Sequence, residues 1–327
     1  MSVYRTQAEF MNRSPNDAHL PRFALDFETT GLDPASAQVI EVALRGEAEL
    51  QRLISDAQPS LPEALRLHGI TTKLCRAEGR PSRQVLIELL TAMGPGPIEV
   101  VAHNASFEQE FLEAWARRES MELPEIHWTC TLKASRRLMN KAPLGHKLGS
   151  LATSLGWQSV GLHRAAADAE LTLRLLGALE AWQRVKEALG SNPGVVYLTG
   201  AQRGSGSSSD LLHNQASMAI LASWAQAVLP NVRLLGPHLD IVPTDEKGDM
   251  RTTPLSTRPG SHESMISRSK ALILFGEPHE EMRREQELAE TMMIPTFMVP
   301  GWDGPGTDSM VASTLSRKSN PQIASAS

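Results

Sequence analysis

Cysteine is nearly absent from this chain: Cys75 and Cys130 are the only two in 327 residues. They form no C-x-x-C pair and stand near no histidine ladder. A disulfide framework and a zinc site of the cysteine type are therefore excluded, and a reducing, cytoplasmic setting is expected. Long apolar runs are also missing. None approaches the roughly 20 residues that span a bilayer, and no basic-plus-apolar leader opens the chain, so no membrane partner is expected. Nor is there an excess of positive charge, with 32 Lys and Arg against 37 Asp and Glu and a net charge of −5. Contact with a polyanion must then come from a local patch or from bound metal.

What is present is enough chain for two domains and an ordinary apolar content, 41%. Residues 1–20 read as a loosely held arm. From Phe23 strands alternate with helices: strands at Phe23–Phe27, Val39–Leu44, Leu50–Ile54 and Ile98–Ala102, and helices at Arg83–Met93, Ser106–Glu119, Lys147–Leu155 and Ala165–Leu189. The run Gly94-Pro95-Gly96-Pro97 stops the first of these helices. This is an α/β or mixed α+β architecture. Gly190-Ser191-Asn192-Pro193-Gly194 marks a boundary, giving a domain over 21–190 and a second over 191–302. In the second, strands at Val195–Leu198, Leu234–Leu235, Ala271–Phe275 and Pro295–Val299 and helices at Asp210–Leu229 and Pro278–Met292 predict a small Rossmann-like unit. Residues 303–327 are rich in Gly, Ser, Pro and Thr and read as a disordered tail.

The most informative segment is Phe23-Ala24-Leu25-Asp26-Phe27-Glu28-Thr29-Thr30-Gly31-Leu32. A strand repeats every two residues, so Asp26 and Glu28 project from one face. An isolated pair of this kind usually splits its duties, one acid in solvent and one capping the turn. Two acids side by side on a buried strand instead repel and call for a cation, and hard divalent ions suit such oxygens. Two further segments offer carboxylates beside polar groups. In Ala102-His103-Asn104-Ala105-Ser106-Phe107-Glu108, a strand end leads into a helix whose first turn holds Glu108. In His163-Arg164-Ala165-Ala166-Ala167-Asp168, a histidine precedes a helix that carries Asp168, and the alanines allow that helix a close approach. Each alone is a common helix-start arrangement, because the helix dipole favours acids there.

Together, in this order and spacing, the three segments resemble the three motifs of the DEDDh (DnaQ-like) 3′–5′ exonucleases. His68-Gly69-Ile70-Thr71 and His146-Lys147-Leu148 with Leu151 extend the resemblance, which covers about residues 22–180. It implies an RNase H-like fold and hydrolysis of phosphodiester bonds by two divalent cations, Mg²⁺ or Mn²⁺. By motif, Asp26 bridges both ions, Glu28 and Asp168 complete one, Glu108 supports the other, and His163 accepts a proton from water. Thr29, Thr30 and Leu32 hold the terminal nucleotide, with Asn104 and Phe107 lining the same cleft. The family pattern reads H-N-A-x-F-D, so Glu108 stands where an aspartate is usual and sets its carboxylate one methylene further out. The implied substrate is a single-stranded 3′ end, DNA or RNA with DNA favoured.

The second domain bears a weaker resemblance to nucleoside deoxyribosyltransferase-like Rossmannoid domains. This implies a nucleotide site with Glu285 as candidate nucleophile and Tyr197, Gly200 and Ser207 nearby. Glu280, Glu281, Glu287 and Glu290 share its helix, and a charge-rich helix is usually a solvated face. Two other functions stay open: a proofreading or nucleic-acid-binding accessory module directed by a polymerase or other protein partner, and a nucleotide-processing or sensing protein with its main activity in the second domain.

Overall fold

The computed structural model describes residues 20–157, 161–200, 208–236, 239–242, 251–253, 261–276 and 280–299. Nearly all of the expected N-terminal arm, the C-terminal tail and Ser207 lie outside the described residues. Two compact units divide the chain. The first runs to Gln183 apart from a short segment beginning at Thr153, and that segment and the chain from Arg184 belong to the second.

In the first unit β1 (Arg22–Thr29), β2 (Val39–Gly46) and β3 (Leu50–Leu53) pair antiparallel, and β4 (Ile98–Ala102) and β5 (Ile126–Cys130) continue the sheet in parallel. The order is β3-β2-β1-β4-β5, a mixed sheet with β1 at its centre. Around it lie α1 (Pro62–His68), α2 (Thr72–Glu78), α3 (Ser82–Met93), α4 (Ala105–Glu119), α5 (Thr131–Leu138), α6 (Leu148–Ser154) and α7 (Ala165–Leu189).

The period of two in β1 separates two environments. Phe23, Leu25 and Phe27 enter the main core with Val85, Leu86 and Leu89 of α3 and Phe111, Leu112 and Trp115 of α4. Phe27 meets Trp115 edge to face, centroids 6.1 Å apart. Burying side chains of this size stabilises by about 1.5–3 kcal/mol each. On the opposite face Ala24 and Ala43 pack against Ala165 and Ala169 of α7. Methyl groups on both sides let α7 approach the sheet closely, at the level of Asp26 and Glu28.

α1, α2, β5 and α5 were not anticipated from the sequence. The two first helices have seven residues each, under two turns. β5 departs from alternation, with only Ile126 and Thr129 buried.

The second unit holds β6 (Val195–Gly200), α8 (Ser208–Val228), β7 (Arg233–Gly236), β8 (Leu239–Val242), β9 (Arg251–Thr253), α9 (Ser261–Ile266), β10 (Ala271–Phe275), α10 (Glu280–Thr291) and β11 (Thr296–Val299). Its sheet runs β11-β10-β6-β7-β8-β9, parallel through β7 and antiparallel beyond. All five residues of β10 are buried, as a parallel strand covered on both faces requires. The antiparallel strands β8 and β9 were not expected.

Candidate metal centre

β1 presents Asp26 half-buried and Glu28 nearly buried, at 7% exposure, on the face that α7 covers. Beyond Glu28 the pairing with β2 shifts by one residue, and the strand turns out of the sheet. The turn is closed locally: the Thr29 hydroxyl donates to the Gly31 carbonyl at 2.6 Å, and the Gln38 amide donates to the Thr30 hydroxyl at 2.9 Å. On the helix side, His163 sits in the left-handed region (φ 66°), and its amide donates to Asp168 Oδ2 at 3.3 Å. Asp168 then projects from the first turn of α7. The outcome is a trio, Asp26, Glu28 and Asp168, whose carboxylate oxygens lie within 4.8 Å of one another.

Glu108 lies in the first turn of α4, 4% exposed. It stays outside that trio, yet its charge helps push up the pKa of Asp26. Its Oε2 and the Oδ1 of Asp168 are buried without a hydrogen-bond partner.

The electrostatics are those of a crowded acid cluster. Burial, then the charges of Glu108, Asp168 and Glu28, hold the Asp26 carboxyl well above the ordinary range. Burial and then Asp168 push Glu28 up to about 8. Burial also takes Glu108 to about 8, with Glu28 adding to it. Asp168 is raised by burial, partly offset by the His163 amide. Four carboxyl groups that resist ionisation, two of them with orphaned buried oxygens, fit a hard divalent cation.

The trio opens into a cleft of about 730 Å³. Thr29, Thr30, Leu32, Phe107 and His163 line it, and Leu32 is 83% exposed. Asn104 does not line it. That residue takes a left-handed conformation at the N-cap of α4, where its Oδ1 accepts from Ser106 at 3.4 Å. No Lys or Arg among the described residues lines the cleft, whereas Asp33 and Glu63 add to its acids.

Sequence reasoning missed two neighbours. Glu41 is fully buried on β2 and bonded to Arg164. An acid inside the apolar run Val39-Ile40-Glu41-Val42-Ala43-Leu44 was the signal for it. His68 lines the cleft from the end of α1, its Nδ1 accepting from the Ile70 amide at 2.9 Å.

In the second unit, Glu285 of α10 is 8% exposed. Its Oε1 accepts from the Tyr197 hydroxyl at 2.8 Å and lies 2.7 Å from His262 Nδ1. His262, on the six-residue α9, carries no helix stripe and was not anticipated. Gly200 ends β6, two positions beyond Leu198.

Residues 23–176 match the family model described as Exonuclease. Among curated proteins, the DNA polymerase III PolC-type of Halalkalibacterium halodurans is 31% identical over 185 residues, which is 53% of this chain and 12% of that protein. The PolC-type polymerase of Oceanobacillus iheyensis is 34% identical over 160 residues, 47% of this chain and 11% of that protein. The chain thus spans about a tenth of the length of these relatives. Among solved structures, E. coli exonuclease I in complex with a dA16 oligonucleotide aligns at a TM-score of 0.42 and 17% identity, covering 51% of this chain and 40% of that one. Exonuclease X in complex with 5′ overhanging duplex DNA aligns at 0.36 and 25%, covering 47% and 88%. None of the helices among the described residues is long and apolar enough to cross a membrane.

Proposed function

We propose that residues 23–176, which match the family model described as Exonuclease, act as an exonuclease domain of the DEDDh type and hydrolyse phosphodiester bonds at the 3′ ends of single-stranded nucleic acid. DNA is the favoured substrate and nucleoside monophosphates are the product. The observation that carries this reading is the Asp26–Glu28–Asp168 trio, gathered within 4.8 Å at the floor of a cleft.

Asp26, with Glu28, Asp168 and Glu108, would hold the divalent cations, Mg²⁺ or Mn²⁺, whose chemistry is activation of the attacking water and stabilisation of the departing 3′-oxygen. Glu28 and Asp168 would help to hold the cation that activates the water, and Glu108 would support a second. His163 is exposed at the cleft and would accept the proton from water. The Thr29 hydroxyl donates to Gly31 and closes the turn, and the Thr30 hydroxyl accepts from the Gln38 amide, so this segment would meet the terminal nucleotide through its backbone and the Thr30 O–H. Leu32 reaches into solvent as an apolar wedge beside Phe107. Contacts of that kind fall on unpaired bases and tolerate any sequence. With no Lys or Arg among the described residues lining the cleft, attraction of the phosphates falls to the cations, so metal loading would switch on binding together with chemistry.

The deciding experiment measures mononucleotide release from labelled single-stranded DNA, duplex DNA and RNA with Mg²⁺ or Mn²⁺. Wild type degrades single strands and Asp26→Ala does not. Equal rates for the two would sink the assignment. The polymerase III relatives favour a proofreading context, which a gain in turnover on adding a polymerase subunit would reveal.

A second reading concerns the second unit. Its parallel core, with α8 between β6 and β7 and α10 between β10 and β11, supports a Rossmann-like assignment over 191–302. The buried Tyr197–Glu285 pair, with the exposed His262 against Glu285, supports a nucleotide site there, with Gly200 at the strand end. Incubating the Asp26→Ala protein with nucleotides and assaying free base tests it. No release, and no change on Glu285→Gln, would end that reading.

A further inference from the structure

One charged pair beside the trio has no part in the chemistry described so far. Glu41 on β2 is the direct cross-strand partner of Glu28 on β1. Directly opposed residues in a sheet share a face, and like charges there repel. Glu41 is 0% exposed, so its charge sits in the sheet next to the metal-binding carboxylates. Four donors hold it. Arg164 Nη2 at 2.7 Å and Gln51 Nε2 at 3.0 Å reach Oε1, while Arg164 Nε at 2.9 Å and the Ala165 amide at 3.1 Å reach Oε2. Burial pushes the Glu41 carboxyl up, but the Arg164 and Gln51 hydrogen bonds outweigh it and leave the group below its ordinary value. Glu41 is therefore committed to Arg164 through two hydrogen bonds, in contrast to its neighbours in the trio.

Arg164 stands between His163, at the left-handed turn, and Ala165, the first residue of α7. Its two-pronged grip on Glu41, with the Ala165 amide bonded to the same carboxylate, ties that turn to the sheet. Its charge also reaches Glu28, whose carboxyl it pulls down against burial and Asp168. The charges then sort into two sets. Asp26, Glu28, Glu108 and Asp168 can match two divalent cations, and Glu41 is matched by Arg164 alone.

We propose that Glu41 and Arg164 are positioning residues for the exonuclease reaction. Glu41 engages Arg164 so that the guanidinium fixes the His163 turn and is kept from pairing with Glu28 and Asp168 in place of a cation. This inference rests on the exonuclease reading. A folded wild type that binds Mn²⁺ but releases no mononucleotide breaks that reading and leaves the charge test below intact.

The test measures Mn²⁺ affinity of the full chain at pH 8 by calorimetry, alongside kcat, KM and thermal melting. Arg164→Gln leaves Glu41 uncompensated beside Glu28 and should tighten Mn²⁺ by about threefold or more, while kcat falls about tenfold or more with little change in KM. Glu41→Gln frees Arg164 to compete and should weaken Mn²⁺ by about fivefold or more. The double variant removes both charges and should return Mn²⁺ affinity to within about twofold of wild type, with kcat still low because the turn is untethered. Structural damage would weaken Mn²⁺ in both single variants and further in the double, and that pattern overturns the proposal. So do single variants whose affinity and kcat match wild type. If Arg164→Gln does not fold, Arg164→Lys keeps the charge with one contact. It should bind Mn²⁺ like wild type with reduced kcat, and unreduced kcat would overturn the positioning role.

Discussion

The two units both bury carboxylate, four acids together in the first and Glu285 with Tyr197 and His262 in the second, and they treat the charge in opposite ways. In the first, Asp26, Glu28, Glu108 and Asp168 gather together, and all four are held above their ordinary range, chiefly by burial and then by neighbouring acid charges. In the second, burial again opposes the charge of Glu285, but hydrogen bonds from His262, Thr199 and Tyr197 prevail and keep its carboxyl below the ordinary value. The partner His262 is raised in turn, chiefly by its bond to Glu285. One site is short of positive charge and the other supplies its own. The difference teaches that a buried acid is not by itself a metal ligand; the state of its neighbours decides what it can take.

The largest test of that contrast removes one acid from each unit. Asp26→Asn should abolish Mn²⁺ binding and mononucleotide release, yet raise metal-free stability by about 1–2 kcal/mol in urea titrations, because repulsion is relieved. Glu285→Ala should do the reverse to its own unit. It orphans the Tyr197 hydroxyl and should destabilise by about 3 kcal/mol, with the nuclease reaction unaffected. Equal signs for the two changes would erase the distinction.

A smaller effect is the pH dependence of the first unit without metal. Glu28 and Glu108 rise from 4.5 to about 8 on folding, so between those values the folded state binds more protons than the unfolded one. The stability they contribute is fully present below pH 4.5 and is lost as pH rises through about 8. Chelated protein should therefore melt at lower temperature at pH 8 than at pH 6. Saturating Mn²⁺ should flatten that slope, and its binding at pH 7 should release protons, read from calorimetry in two buffers. The smallest change is expected at Glu108, which lies outside the trio. Glu108→Asp should alter kcat by less than about tenfold; a larger gain would show that the glutamate impairs the site.

Much of the first unit was legible because its information is local. The strand period around Asp26 and Glu28, the alanines ahead of Asp168 and the stop at Gly94 each act within a few residues. All four strands read in this unit are present, and β4 has the expected bounds, Ile98–Ala102. The short helices α1 and α2 were not legible, although α6, of the same seven residues, was. In the second unit, β10 was readable from its unbroken apolar run, whereas β8 and β9 depend on pairing across the sheet.

By itself the sequence determined the three acid-bearing segments, the face that Asp26 and Glu28 share, and the alanine surface that admits α7. Backbone period and side-chain size settle these without reference to distant residues. Tertiary structure alone decided that Glu108 stands back from the trio, that Glu41 receives Arg164 across 123 residues, and that His262 completes the Glu285 cluster. Those outcomes rest on charges brought together by packing, where burial multiplies the strength of each interaction and no local pattern records the partner.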